Sequence, residues 1–166
     1  MKGSTKVKLV VFIALLAAAA IPMAAQTPTV KSGTLNISGV VPEIFELTVT
    51  PASDAANLTL TAVVTVHPIA TIKERSNKKV GYTLVLTTTN NSTFKGTVSG
   101  ETLAYTLKYA GNPVSFSLGS ATLSNPTVKT TSSGSSNPLT ISFDGDSNFL
   151  SEDTYTDTLS LTMTSK

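Results

Sequence analysis

The stretch Tyr-Thr-Asp-Thr-Leu-Ser-Leu-Thr-Met-Thr, residues 155–164, alternates apolar and hydroxyl-bearing side chains almost without interruption. Successive side chains of a β-strand point to opposite faces of a sheet. One face of this strand would therefore carry Tyr155, Leu159, Leu161 and Met163, and the other face would carry Thr and Ser. The pattern predicts a strand with one side in an apolar core and one side in water, and we expect these four residues to form the strand on which assembly depends.

Residues 1–25 have the layout of a secretory signal peptide. Lysines precede an apolar run over residues 9–20, and the composition becomes polar at Gln26; such a run is typical of an export signal and is short for a membrane span. We expect cleavage after Ala25, with the Ala18-x-Ala20 step as the alternative. The expected mature chain, residues 26–166, has the length of a single domain, without a membrane span, in the periplasm or on the surface of a bacterium.

Charge and cysteine content exclude several partners. Three of the twelve basic residues, Lys2, Lys6 and Lys8, lie in the predicted signal, which leaves nine basic against ten acidic residues. A mature chain so close to neutrality gives no reason to expect nucleic acid as a partner, and the basic residues within 73–79 are interrupted by Glu74 and have no aromatic platform. Cysteine is absent, so the chain has neither a disulfide nor a cysteine for a lipid anchor.

The remainder of the chain is a series of short alternating segments, and helical periodicity is absent. The 28 threonines and 20 serines suit half-exposed pleated surfaces. The predicted strands are Leu35–Ile37 continuing as Phe45–Val49, Leu58–Val66, Ala70–Arg75, Tyr82–Thr87, a hairpin of Leu103–Tyr109 with Val114–Leu118, Leu139–Phe143, and the terminal strand. Residues 130–138 read as a flexible loop. Seven to nine strands at this spacing predict an all-β, immunoglobulin-like antiparallel β-sandwich.

Three segments, Asn77–Asn90, Tyr105–Tyr109 and Asp153–Thr164, together resemble secreted bacterial pilin-like domains. The pattern is similar to that of the spore coat protein U family and of chaperone-usher fimbrial subunits, in which a Gly-x-Tyr-x-Asp-x-apolar-x-apolar strand ends the chain. The resemblance implies strand addition with another copy or with a periplasmic chaperone. Such a subunit offers a free N-terminal strand to its neighbour, whereas here only residues 26–32 precede the first predicted strand.

Groups suited to catalysis are scarce. His67 is the only histidine, and its place beside Pro68 favours a plain strand-end histidine over the base of a Ser-His-Asp triad. Ser92-Thr-Phe-Lys95 matches Ser-x-x-Lys without the elements that accompany that motif in enzymes. We therefore expect no enzymatic activity, no catalytic residues and no cofactor.

Asp144, Asp146 and Asn148 have the spacing of oxygen ligands that opens a calcium loop. The sixth position is Phe149 where an EF-hand has glycine, and the twelfth is Tyr155 where an EF-hand has glutamate. We predict an ordinary acidic loop, with a calcium site as the alternative. Millimolar calcium should then change the melting temperature by less than about 2 °C.

Two functions fit these observations. The first is a non-enzymatic secreted structural or surface-assembly protein, pilin-like or coat-like, that acts through β-strand pairing. The alternative is a secreted, adhesin-like binding module that recognises a surface glycan or host ligand. Its contacts would lie on the loops 90–100 and 130–138, because loops on a rigid sandwich can vary without unfolding it.

Overall fold

The computed structural model describes residues 28–145 and 149–166. The described chain falls into two units, residues 28–39 and residues 40–166, and each is treated by itself. The predicted signal peptide lies outside the described residues, as do Asp146 and Asn148. No helix within the described ranges has the length and hydropathy needed to cross a membrane.

Residues 40–166 form antiparallel β-strands, and the described part of this unit has no helix. The eleven strands are β1 (Phe45–Pro51), β2 (Val64–Ser76), β3 (Tyr82–Thr88), β4 (Thr93–Gly96), β5 (Thr102–Ala104), β6 (Thr106–Tyr109), β7 (Asn112–Pro113), β8 (Ser120–Ser124), β9 (Ser135–Phe143), β10 (Tyr155–Thr156) and β11 (Leu159–Ser165). The prediction of an all-β antiparallel fold is confirmed. The strands outnumber the predicted seven to nine because several are only two to four residues long.

The strands form three sheets around one apolar core. A five-stranded sheet has the order β1-β2-β9-β6-β7, and two three-stranded sheets have the orders β11-β3-β8 and β10-β4-β5. Alternate residues of the five-stranded sheet and of β3 fill the core. They include Ile72, Leu84, Leu86, Leu107 and Leu139, each at most 2% exposed. Burying one such side chain stabilises the fold by about 1.5–3 kcal/mol.

The register defines two ends of this unit. On β3 and β11, Tyr82 lies opposite Ser165 and Thr88 lies opposite Leu159. The Tyr82 end also contains the first residue of β1, Phe45, which pairs with Ser76 at the end of β2. At the Thr88 end, β4 and β5 extend the fold beyond β3 and β6.

A buried polar cluster closes the Tyr82 end of the core. Glu74 is fully buried on β2 and accepts a hydrogen bond from the hydroxyl of Tyr109. Asn137 donates to the same hydroxyl at 2.9 Å. Burial, followed by the neighbouring Glu74, raises the pKa of Tyr82. Such a cluster specifies how the sheets meet, since each of its groups requires its partners.

The second predicted strand differs from the structure. Leu58 and Leu60 lie in a turn-rich segment, and β2 begins only at Val64 and continues without interruption through Pro68. Pro68 lies opposite Thr140 beside irregularities in the register of β2 and β9. A proline is tolerated within a sheet at such bulges, so it did not end the strand as predicted.

Two other predictions were wrong in extent. The flexible loop predicted over residues 130–138 ends at Gly134, because β9 begins at Ser135 and pairs with β2. The predicted hairpin is shorter than expected, because β6 pairs with the two residues of β7 and the Val114 N–H donates one further bond to Leu107 O at 2.9 Å, after which residues 115–118 form no strand with β6. The chain instead crosses to the sheet of β3 and β11, where it pairs with β3 as β8. The weak alternation of residues 120–124 did not predict this strand.

Candidate functional site: the open edge of β11

The predicted terminal strand is divided between two sheets. Tyr155 lies on β10 and pairs with Gly96 of β4, whereas Leu159, Leu161 and Met163 lie on β11 and pair with β3. These three are half-buried, and Ser160 and the outward threonines are exposed. The structure therefore keeps three of the four predicted assembly residues together on one strand and places Tyr155 on another.

Asp157 causes this division. Its Oδ1 accepts hydrogen bonds from the backbone N–H groups of Thr89 at 3.1 Å, Asn90 at 2.9 Å and Thr158 at 2.7 Å, and its Oδ2 accepts one from the Tyr105 hydroxyl at 2.6 Å. Burial and this carboxylate raise the pKa of Tyr105. Charge-assisted hydrogen bonds of this kind are stronger than neutral ones, so Asp157 fixes the chain between β10 and β11. The only sequence signal was a charged residue within an otherwise alternating strand.

The segment before β10 is fixed in a similar way. Asp153 Oδ2 accepts the backbone N–H groups of Ser99 and Val98, each at 2.8 Å. These two bonds hold the pKa of Asp153 well below its usual range. The Tyr155 hydroxyl donates to Glu101 at 3.0 Å, and the Ser151 N–H and that hydroxyl lower the pKa of Glu101. Asp153 and Glu101 thus have structural partners.

β11 has one free edge among the described strands, and so does β1. β11 pairs only with β3, and β1 pairs only with β2. Between these edges lies a largely apolar cavity of about 230 Å³ that opens to solvent, and the residues around it include Val49, Pro51, Ile69, Tyr105, Leu159 and Leu161. We call this cavity, with the free edges of β1 and β11, the groove. An unpaired edge above an apolar floor can accept a further strand.

Residues 34–41 have the pattern of a strand but form none in this structure. The prediction of a first strand from Leu35 to Ile37 is wrong, because the described chain has no regular secondary structure before β1. Leu35, Ile37 and Val41 would share one face of such a strand, opposite Asn36, Ser38 and Val40, and they are 85%, 88% and 84% exposed. Isolated exposed apolar residues are normal, but an alternating series of them requires a sheet to cover one face.

The residues considered for catalysis and for calcium binding do not form a site in the part of the chain that the structure describes. Nε2 of His67 lies 3.1 Å from Oδ2 of Asp54. Asp144 is exposed, but the calcium prediction depends on Asp146 and Asn148, which lie outside the described residues. The described ranges contain no cluster of three His, Cys, Asp or Glu side chains suited to a metal.

The two loops of the alternative binding module lie at opposite ends of the unit. Residues 90–100 follow β3 at the Thr88 end and contain β4. Thr130 bonds to Ser76 at the Tyr82 end. A single ligand surface built from both loops is therefore disfavoured by their separation.

Sequence reasoning identified one wall of the groove and missed the other. Phe94, Ile69 and Leu58 contribute to its floor and margins, and they belong to segments that are far from residues 155–164 in the sequence. Only the pairing of β1 with β2 and of β11 with β3 brings these walls into opposition. No protein-family model matches this chain, and no curated protein matches it.

Proposed function

We propose that this protein is a non-enzymatic, secreted assembly subunit that accepts a β-strand along the free edge of β11. The single observation that carries the proposal is the groove, in which half-buried Leu159 and Leu161 face Val49 and Pro51 across an unfilled gap. Water in such a gap leaves apolar surface uncovered. A strand inserted there would gain backbone hydrogen bonds from β11 and would bury its alternate side chains.

Residues 34–41 provide a strand of suitable pattern. Leu35, Ile37 and Val41 would enter the groove, while Asn36, Ser38 and Val40 would face outward, since strand side chains alternate. Gly39 occupies the third position of the inward series, between Ile37 and Val41, and would allow a close approach of the two backbones. The described chain leaves these aliphatic residues exposed, so covering them adds to the free energy of assembly.

We favour a second copy as the donor of the strand. Asn77 donates its Nδ2 to Pro42 O at 2.8 Å and accepts the Ile44 N–H on Oδ1 at 2.9 Å, and its own N–H donates to Ile44 O at 3.0 Å. To fold into its own groove, the chain would have to reverse between Pro42 and Ile44 and lose these bonds. Donation to a neighbour leaves them intact, so we favour assembly between copies over self-completion.

The test uses the chain from Gln26 to Lys166 and two variants of equal charge. We expect the unmodified chain to form concentration-dependent multimers in sedimentation velocity. Leu35→Asp with Ile37→Asp should abolish them, because a carboxylate cannot enter an apolar groove without a large desolvation cost. Asn36→Asp with Ser38→Asp, on the outward face, should leave them in place.

A chain that stays monomeric at high concentration would overturn the proposal, as would equal behaviour of the two double variants. Circular dichroism of each variant reports whether the domain is folded. Because residues 34–41 form no strand in the described chain, both variants should fold, and a loss of multimers can be assigned to the segment.

A further inference from the structure

Glu74 is a carboxylate inside the core for which the structure describes no cationic partner. Its side chain is fully buried on β2. Oε1 accepts a hydrogen bond from the hydroxyl of Tyr109, whereas Oε2 is buried and has no described hydrogen-bond partner. The adjacent Arg75 does not supply the missing charge, because its guanidinium bonds to Glu46 and to the backbone oxygen of Ser132. A buried charge without a partner strongly destabilises a fold, so Glu74 requires a group that balances it.

The groups around Glu74 supply neutral oxygen atoms. Ser135 lies opposite Glu74 in the register of β2 and β9. Asn137, on the same face of β9, donates to the Tyr109 hydroxyl at 2.9 Å and to Ser135 Oγ at 3.0 Å. Burial, followed by the adjoining Glu74, raises the pKa of Tyr82, whose phenol approaches the carboxylate from the facing sheet. The cluster thus has one negative charge among neutral oxygen atoms.

A cavity connects this cluster with solvent. It has a volume of about 320 Å³, and its lining includes Tyr82, Ser124 and Ser135, so that the cavity and the cluster share two residues. Gly134 also lines the cavity, and a Cβ on Gly134 would lie 2.6 Å from the backbone oxygen of Glu74. One wall of the cavity therefore rests directly against residue 74. The cavity gives a small ion and its water molecules a path from solvent to the cluster.

A proton, a water molecule or a lysine would balance Glu74 less well than a metal cation. A proton on Oε2 would turn this oxygen into a donor, and no acceptor is described for it. A water molecule would satisfy the oxygen but would leave the charge in place. Lys166 donates to the backbone oxygen of Pro126 at 3.0 Å, and Lys129, which lines the cavity, is exposed. A metal cation supplies the positive charge and takes oxygen ligands.

We propose that Glu74 Oε2 and the hydroxyl oxygens of Tyr82 and Ser135 bind a monovalent metal cation, which enters through the cavity beside Gly134. One carboxylate balances one positive charge, whereas calcium sites in proteins usually contain several carboxylates. Because Glu74 belongs to the five-stranded sheet and Tyr82 belongs to the sheet of β3, the bound cation would link the two sheets at this end of the core. The stability of the folded subunit would then depend on the cations of the surrounding medium. This site does not depend on whether the groove accepts a strand.

Na⁺ is the probe for this site, and choline is the cation that is too large for it. In the chain from Gln26 to Lys166, raising Na⁺ from about 0.01 M to about 0.5 M in exchange for choline, at constant chloride, should raise the melting temperature by about 3 °C or more. The chain contains four tyrosines and no tryptophan, and Tyr82 and Tyr109 adjoin the site. The near-ultraviolet circular dichroism should therefore change with Na⁺ and saturate. Equal melting temperatures in Na⁺ and choline would overturn the proposal.

Glu74→Gln removes the charge of the site, and Glu46→Gln is the matched control because it removes an exposed carboxylate from β1. Only Glu74→Gln should abolish the response to Na⁺. Tyr82→Phe is a second test should Glu74→Gln fail to fold, because it removes one ligand oxygen and keeps the ring. It should weaken Na⁺ binding at least about tenfold, whereas Tyr155→Phe, which removes a hydroxyl from β10, should not. An unchanged response in Glu74→Gln, or equal responses of the two Phe variants, would contradict the assignment.

Lys129→Gln distinguishes a bound metal cation from a lysine counter-ion. Lys129 is the one charged residue among the described residues that line the cavity. With a metal cation at Glu74, Lys129→Gln should strengthen the response to Na⁺, because like charges repel. If Lys129→Gln lowers the melting temperature and the unmodified chain does not respond to Na⁺, the lysine is the counter-ion. If Glu74→Gln removes a dependence of the melting temperature on pH and the unmodified chain does not respond to Na⁺, Glu74 holds a proton. Either result would overturn the proposal.

Discussion

At the scale of single residues, the half-buried side chains of β11 decide how firmly this edge strand is held. Leu161→Ala should lower the free energy of unfolding by about 1–2 kcal/mol, less than the roughly 2–5 kcal/mol of a fully buried leucine, because its side chain still borders an open groove. Chemical denaturation of the isolated subunit measures this. Ser160→Ala on the outward face is the control and should change stability by less than about 0.5 kcal/mol. Equal losses would mean that the faces are assigned wrongly.

Asp153 should make the fold sensitive to acid. Its pKa lies below the ordinary value of 3.8 in the folded state because the carboxylate accepts the N–H groups of Ser99 and Val98. A group with a lowered folded pKa contributes stability above its unfolded pKa and loses it as the pH falls through the folded value. We therefore expect the melting temperature to fall as the pH is lowered from about 4 to about 2.

The control for this acid sensitivity is a pair of neutral variants. Asp153→Asn should make the decline in melting temperature below pH 4 shallower, because it removes the titrating group. Asp144→Asn removes an exposed carboxylate with no described hydrogen bond, so it measures the effect of losing one negative charge alone. An unchanged profile for Asp153→Asn would show that its backbone bonds do not contribute to stability.

At the scale of elements, the connection between β2 and β3 depends on a glycine. Gly81 has a φ of 78°, and a Cβ there would lie 2.0 Å from the backbone oxygen of Pro126. Gly81→Ala should therefore cost about 3 kcal/mol or more, since both the conformation and the space are unfavourable. Thermal or chemical unfolding measures the loss.

Gly100→Ala is the matched control for Gly81→Ala. Gly100 has a φ of 72°, and a Cβ there would have no neighbour within 4 Å. Only the backbone penalty of about 1–2 kcal/mol is expected. If the two substitutions cost the same, the close approach of Pro126 to the β2–β3 connection does not hold in solution.

At the scale of the whole molecule, residues 42–166 should fold without the segment before them. Residues 28–41 are exposed throughout, whereas Pro42 and Ile44 are bonded to Asn77. Deleting residues 26–41 should therefore change the melting temperature by less than about 2 °C and should abolish the stable multimers. A chain that unfolds after this deletion would show that the segment belongs to the core of its own subunit.

The alternating pattern of the sequence determined the fold class and the inward residues. On β3 and β11, the buried or half-buried apolar side chains recur at every second position, and a period of two places them on one face whatever the partner strand is. The same pattern did not say which strands are neighbours. It therefore did not predict that Val49 and Leu161 line the same cavity, and it could not predict the groove.

The tertiary structure alone decided which of the alternating segments become strands. Residues 34–37 and 155–164 alternate equally well, yet the first segment forms no strand and the second is divided at Asp157. The reason is physical, because an alternating segment becomes a strand only where another strand offers it backbone hydrogen bonds and its neighbouring residues find hydrogen-bond partners of their own. Thr89, Asn90 and Tyr105 supply such partners to Asp157 from distant parts of the chain.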